Sequence, residues 1–240
     1  MPSDARPSLD PVVEDALRML ERSAVFRALE VDARRRLAAH AQRRRFAAGE
    51  LILQSGSAGQ SMMAVVMGTV RISAHSPQGK EIILADLPPG EIVGEIAVLD
   101  GGQRTADATA LTNCEVLVLE RRDVLPFLEQ QPKACIKLLE LVCQRLRNAD
   151  QWITDIAFAE VPMRLAKVLL AAVAAQGRRA DGRPPRLAFS QRELGSMVGA
   201  TRESVNRCLQ QWQREGIVQL KEGWIIILGE PGLREIAELA

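Results

Sequence analysis

Two short constellations in this 240-residue chain hold residue types suited to recognition chemistry. The first runs Gly94-Glu95-Ile96-Ala97-Val98-Leu99 and, after a short loop, Arg104-Thr105-Ala106. A carboxylate only accepts hydrogen bonds, an Arg fork donates two parallel bonds to a compact oxyanion, and glycine lets backbone N–H groups come close. Together they suit a small anion that also carries hydroxyl groups. The second is Thr201-Arg202-Glu203-Ser204-Val205-Asn206-Arg207. On a helix Arg202 and Arg207 would project about 140° apart. Arg is the commonest bidentate reader of guanine O6 and N7 in the major groove, and Glu203 between them can accept from cytosine N4. Either set alone is ordinary: charges on a glycine turn, or surface ion pairs on a helix. Their context decides.

Catalysis has little to work with. There are two histidines, His40 and His75, and no Ser/His/Asp arrangement or histidine metal motif can be assembled from them. The four cysteines, Cys114, Cys135, Cys143 and Cys208, show no CxxC or paired spacing and read as buried thiols in a reducing compartment. We expect a non-enzyme without metal. The longest apolar run, Val168 to Ala175, is far short of a membrane span, and Met1 to Asp10 lacks the apolar core of a signal peptide, so a cytoplasmic protein is expected. Net charge is +1, but residues 161–228 hold 11 Lys/Arg against 5 Asp/Glu while the remainder is acidic. A basic C-terminal module is the electrostatic footprint of DNA binding.

The elements that would position these residues follow from periodicity. Residues 10–40 read as short amphipathic helices. From Arg45 onward, short apolar runs (51–53, 62–67, 70–72, 82–84, 92–93, 116–119) alternate with glycine turns, the grammar of a small β-barrel or roll, with His75 in a turn. Between Pro132 and Pro162 there is no Gly or Pro, and Ile136, Leu139, Cys143, Leu146, Asp150, Ile153 and Ala157 recur in alternating three- and four-residue steps. That is a coiled-coil seam, and a stripe with no partner in its own chain most simply pairs with its copy. A helix from Pro162 to Ala175 and a polar loop at 176–186 come next. Ser190-Gln191-Arg192-Glu193 then reads as a capping box, Gly199 as a stop, and Thr201 as the cap of a second helix to about Arg214. Two runs around Glu222-Gly223 complete a hairpin. Helix, turn, helix, hairpin describes a winged helix-turn-helix.

On these two motifs the sequence resembles the cyclic-AMP receptor protein/FNR (CRP/FNR) family of bacterial transcription regulators over about residues 30–230. The resemblance implies an α+β chain in three parts. These are N-terminal helices with a jelly-roll-like cyclic-nucleotide-binding β-roll (1–131), a dimerisation helix and hinge (132–160), and a winged helix-turn-helix DNA-binding domain (161–240). It implies a cyclic-nucleotide effector held at Gly94, Glu95, Ile96, Arg104, Thr105 and Ala106, with Arg104 on the phosphate and Glu95 on the ribose 2′-OH. It makes Arg202, Glu203 and Arg207 the base readers of a palindrome with TGTGA-like arms, and Ser190, Gln191, Thr201 and Lys221 contacts to DNA phosphates. RNA polymerase is the further partner that the family implies.

One position departs from the family pattern. Where the receptor protein meets adenine with two hydroxyl residues, this chain has Ala149 and Asp150. Guanine offers N1–H and N2–H₂ side by side, which one carboxylate accepts together, so Asp150 favours cyclic GMP. Thr105, directly after the phosphate Arg, points the same way by analogy with eukaryotic relatives. Cyclic AMP stays open beside it, as do a nucleotide-independent regulator with a vestigial sensor and a haem-sensing one. An iron–sulfur sensor would need an N-terminal cysteine cluster, and the first 113 residues contain no Cys.

Overall fold

A computed structural model describes residues 11–176 and 183–238. The chain forms two compact units that meet in sequence at Arg145 and Leu146, with the hairpin tip His75–Ile83 grouped with the second.

The first unit opens with helices α1 (Pro11–Leu20), α2 (Ala24–Arg27) and α3 (Val31–His40). Strands β1 (Gln42–Phe46), β2 (Leu51–Leu53), β3 (Ser61–Met67), β4 (Val70–His75), β5 (Glu81–Leu87) and β6 (Ile92–Val93) come next. After them stand helix α4 (Glu95–Asp100), strands β7 (Asp107–Ala110) and β8 (Cys114–Glu120), and helix α5 (Arg121–Glu129). The strands make two four-stranded sheets, ordered β1-β8-β3-β6 and β2-β7-β4-β5. Strand β8 explains the layering. Its CEVLVLE run is apolar on both faces because Leu117 and Leu119 pack toward the helices while Val116 and Val118 fill the space between the sheets. His75 is the last residue of β4, not part of a turn.

Strand β1 has no apolar alternation at all: its sequence is QRRRF. It exists because of its neighbour. Pairing with β8 brings Arg43 and Arg45 onto one carboxylate, Glu115, with Arg43 Nε 2.5 Å from Oε1 and Arg45 Nε 3.0 Å from Oε2. Arg43 also reaches Asp15 at 2.7 Å, tying α1 to the sheet. Burial alone would push the Glu115 carboxyl up, but hydrogen bonds from Arg43 and then Arg45, with their charges, hold it below the ordinary carboxylate range.

Helix α6 (Pro132–Phe158) spans 27 residues, and Pro132 stands at its start, where a missing N–H costs nothing. Along it Ile136, Leu139, Leu146 and Ile153 are each more than half exposed, so the whole seam is uncovered in the single chain. Cys143, on that seam, is exposed too, which corrects the expectation of four buried thiols; Cys114 is buried, and Cys135 and Cys208 are partly so. All four are free.

The second unit contains α7 (Val161–Gln176), β9 (Arg186–Leu187), α8 (Gln191–Val198), α9 (Arg202–Arg214), β10 (Val218–Lys221), β11 (Trp224–Ile227) and α10 (Glu230–Glu238). The capping box forms as the sequence suggests: Glu193 N–H donates to Ser190 Oγ (3.1 Å) and Ser190 N–H to Glu193 Oε2 (2.9 Å). Thr201 Oγ1 accepts from Ser204 N–H and starts α9. Gly195 lets the turn close tightly, since a Cβ there would stand 2.8 Å from the Ala200 carbonyl oxygen. Leu169, Leu194, Val205, Leu209, Trp212 and Ile225 form its core, and α10 joins that core through the fully buried Leu233. The residues at 177–182, in the expected loop, and those before Pro11 lie outside the described residues.

The Glu115 cluster sets a pH signature. A carboxyl more acidic in the folded than in the unfolded chain stabilises at neutral pH, and this contribution is lost as pH falls through its folded-state titration. Glu115→Gln is expected to cost roughly 1–3 kcal/mol at neutral pH and to flatten the acid limb of the stability curve. Denaturant unfolding across pH tests this; a mutant with an unchanged acid limb would show that other carboxylates govern it.

Candidate functional site

Strand β6 ends at Val93, and Gly94 turns the chain into α4 with φ of +81°. No side chain fits there: a Cβ on Gly94 would run into the Arg104 guanidinium and stand 3.1 Å from Leu53 Cδ1. The turn places Glu95 wholly out of solvent. One carboxylate oxygen, Oε1, accepts from Arg145 Nη1, and Arg145 Nη2 donates to the Ile92 carbonyl. The other, Oε2, is buried with no partner among the described residues.

Arg104 comes to the same turn from the other side. It is 6 % exposed, and its guanidinium donates to the Gly94 carbonyl at 2.7 Å and to the Ser61 carbonyl. Its Nε is buried without a partner among the described residues. Burial pulls this guanidinium down from its ordinary value, and the charge of Glu95 opposes that. Thr105 and Ala106 follow in a bend ahead of β7, the first exposed and the second half-buried, and Ile96 lies at the surface of α4.

The structure therefore brings Gly94, Glu95 and Arg104 together, and adds two partners. Arg145 is the ion-pair partner of Glu95, and the Ser61 carbonyl is a seat for Arg104. Arg145 is 50 residues from Glu95 and lies off the helical seam, so no spacing connects them. The available signal was electrostatic: a buried carboxylate needs a cation. Chemically, an unpaired buried acceptor asks for a hydroxyl or N–H donor, and a buried guanidinium beside it suits an anion. A ribose cyclic phosphate carries both groups, and the residues fit it. Asp150 is exposed on α6, five residues past Arg145.

In the second unit, α9 is sided. Val205, Leu209 and Trp212 are buried on one face, while Arg202, Glu203, Arg207 and Gln210 are exposed on the other. Glu203 is held below the ordinary carboxylate range, first by its own backbone N–H, then by the Thr201 hydroxyl and the charge of Arg202. It remains an ionised acceptor near neutrality. Asn206 is fixed by Gln191, whose Nε2 donates to Asn206 Oδ1 at 3.0 Å and links α8 to α9. The Ser190 hydroxyl faces Glu193 in the capping box. Of the residues expected at phosphates, Lys221 is the exposed cation, at the turn end of β10. No helix among the described residues is long and apolar enough to cross a membrane.

Each unit contains a segment that matches a known domain family. Residues 43–131 match the model of the cyclic nucleotide-binding domain, and residues 163–236 that of the Crp-like helix-turn-helix domain. A cyclic AMP receptor protein of Thermus thermophilus is 35% identical over 196 residues, covering 82% of this chain and 88% of the relative. The chain belongs to the CRP/FNR family. This CRP/FNR protein is also 28% identical, over 87% of its length and 94% of the relative's, to a CRP-like cAMP-activated global transcriptional regulator of Mycobacterium tuberculosis. Among solved structures, the c-di-GMP responsive global regulator CLP of Xanthomonas campestris shares the fold with a TM-score of 0.75. There the identity is 22%, over 83% of this chain and 100% of that one. The protein is thus a DNA-binding transcription regulator with a cyclic-nucleotide-binding domain.

Removing one partner of a buried ion pair leaves an uncompensated charge. Arg145→Met is expected to cost about 3 kcal/mol, near the low end for such losses because Arg145 keeps some solvent contact. Adding Glu95→Gln should recover most of it. Urea unfolding of the single and double mutants checks this; strictly additive losses would mean that the pair is not coupled.

Proposed function

We propose that the chain is a homodimeric regulator whose grip on DNA is set by a cyclic nucleotide seated on Glu95 and Arg104. The observation that carries this reading is the unpartnered, fully buried Oε2 of Glu95 beside the buried guanidinium of Arg104. That pairing is costly to maintain unless a ligand completes it. Arg104 takes the phosphate, with the backbone N–H groups of Thr105 and Ala106 completing the cradle, Gly94 and Ile96 lining the turn, and Glu95 accepting from the ribose hydroxyl.

The uncovered seam of α6 supports the dimer: a second copy would bury Ile136, Leu139, Leu146 and Ile153 against themselves. In this reading residues 1–131 sense, 132–160 couple, and 161–240 bind DNA. A ligand shifts such an equilibrium only by binding the DNA-competent state more tightly than the other. Two α9 helices then read a palindrome, Arg202, Glu203 and Arg207 facing base edges of TGTGA-like arms, while Ser190, Gln191, Thr201 and Lys221 lie toward the phosphates. RNA polymerase is the next partner in line.

For the base we favour guanine. The exposed Asp150 carboxylate can accept from N1–H and N2–H₂ together, and Thr105 stands directly after Arg104. Adenine is the second reading, supported by the relatives named for cyclic AMP. Calorimetric titration of the purified protein with each nucleotide is expected to give heat with cyclic GMP more tightly than with cyclic AMP, and Asp150→Ala to weaken the guanine ligand more. No heat with either nucleotide would sink the gated model, and an unchanged preference in the variant would remove Asp150 from base reading. Independently, Leu146→Glu puts like charges on the seam and should turn a dimer into a monomer in sedimentation equilibrium; a variant that stays dimeric would place the interface elsewhere.

A further inference from the structure

The wing carries a feature that the reading above does not use. Strands β9, β10 and β11 form a sheet ordered β10-β11-β9. Their inner face, with Leu187, Val218, Ile225 and Ile227, is buried in the core of the second unit. On the outer face Arg186, Gln219, Lys221 and Trp224 are exposed. The register pairs Ile226 with Arg186 and Lys221 with Trp224, so Arg186 and Trp224 are diagonal neighbours on that face. The Arg186 guanidinium carbon lies 4.8 Å from the centroid of the Trp224 ring.

We propose that this stack is a DNA-backbone contact: Trp224 is a platform that holds the Arg186 guanidinium extended toward a phosphate beside the one met by Lys221. The proposal rests on the DNA-binding reading of the second unit. Stacking occupies the face of a guanidinium and leaves its in-plane N–H donors outward, the arrangement that grips a phosphate with two bonds. Arg186 forms no ion pair with any described residue, so its charge is available. The chain has only three tryptophans, and this one stays 37% exposed directly after the Glu222-Gly223 turn. Arg186 and Lys221, both exposed, flank the indole on this face, and that pair of cations suits a polyanion. The wing is also attached to α9. Leu220 N–H donates to Gln213 Oε1 at 3.1 Å and Ile217 N–H to the Trp212 carbonyl at 2.9 Å, fastening the wing to α9.

The test is equilibrium binding to a duplex with TGTGA arms and to a scrambled duplex of equal length. Both are measured over a series of salt concentrations with saturating cyclic GMP or cyclic AMP. Each lost phosphate contact lowers the slope of log K against log salt by about 0.9. Arg186→Gln should therefore flatten the slope by about 0.9 per protomer and weaken both duplexes alike, leaving their affinity ratio and the melting temperature unchanged. Trp224→Leu should shift in the same direction, and Trp224→Phe, which keeps a ring, should stay near the unsubstituted protein. An Arg186→Gln protein with full slope and affinity would overturn the contact and hand the face to a protein partner. A Trp224→Leu protein with the unsubstituted slope, or a Trp224→Phe protein as impaired as Trp224→Leu, would overturn the platform. Failure of the unsubstituted protein to bind either duplex would instead refute the DNA reading itself.

Discussion

A carboxylate with no exposed surface is the constraint around which the sensing unit is arranged. Glu95 is held inside the protein by Arg145, which donates to its carboxylate, and Arg145 in turn places its second arm on the Ile92 carbonyl. Taking such charges out of water costs several kcal/mol per ion before their attraction repays it. The chain accepts that cost at one turn, where Gly94 removes every atom that would keep Arg104 away. A second ionic cluster at Glu115 is different in kind. Its arginines reach solvent, both carboxylate oxygens are engaged, and it fastens a strand. The Glu95 site keeps an oxygen and an Arg104 nitrogen in reserve. In the proposed reading that contrast separates a structural charge cluster from a binding one.

The same pair links the sensor to the long helix, since Arg145 belongs to α6 and Glu95 to the roll. In the proposed reading a ligand that draws on Glu95 would draw on the helix as well. Helix α6 shows an apolar stripe left uncovered, and α9 shows a polar one backed by buried Val205, Leu209 and Trp212. Both are one-sided helices, but the exposed side is apolar in the first and charged in the second. In the proposed reading a second copy of the chain would cover the one and DNA would meet the other.

Rigidity in the DNA-binding unit comes from closure at its turns. The capping box at Ser190, the Thr201 cap and the Gln191–Asn206 bond fix α8 against α9, so the exposed arginines stand on a firm scaffold. The wing is tied to the same helix, and α10 closes the core with Leu233. The cost is that Ser190 and Gln191, read from sequence as phosphate contacts, already have partners within the protein.

Much was legible in the chain alone. The glycine-turn grammar, the uninterrupted 27-residue helix, the capping box and the charged face of α9 are all functions of residues near one another in sequence, and local periodicity and capping chemistry report them directly. So did Glu95 and Arg104, because they lie nine residues apart in one motif. What lay beyond that reach was pairing over distance. The QRRRF strand has no β pattern of its own and exists because β8 presents Glu115; Arg145 meets Glu95 across 50 residues; Arg186 finds Trp224 only once three strands are in register. The solvent exposure of Cys143 follows from how the helix is packed and not from its apolar neighbours in sequence. Local sequence determined which residues could carry charge, cap and stripe. Tertiary structure decided which of those charges were buried and with whom, because desolvation and ion pairing depend on what arrives from elsewhere in the chain.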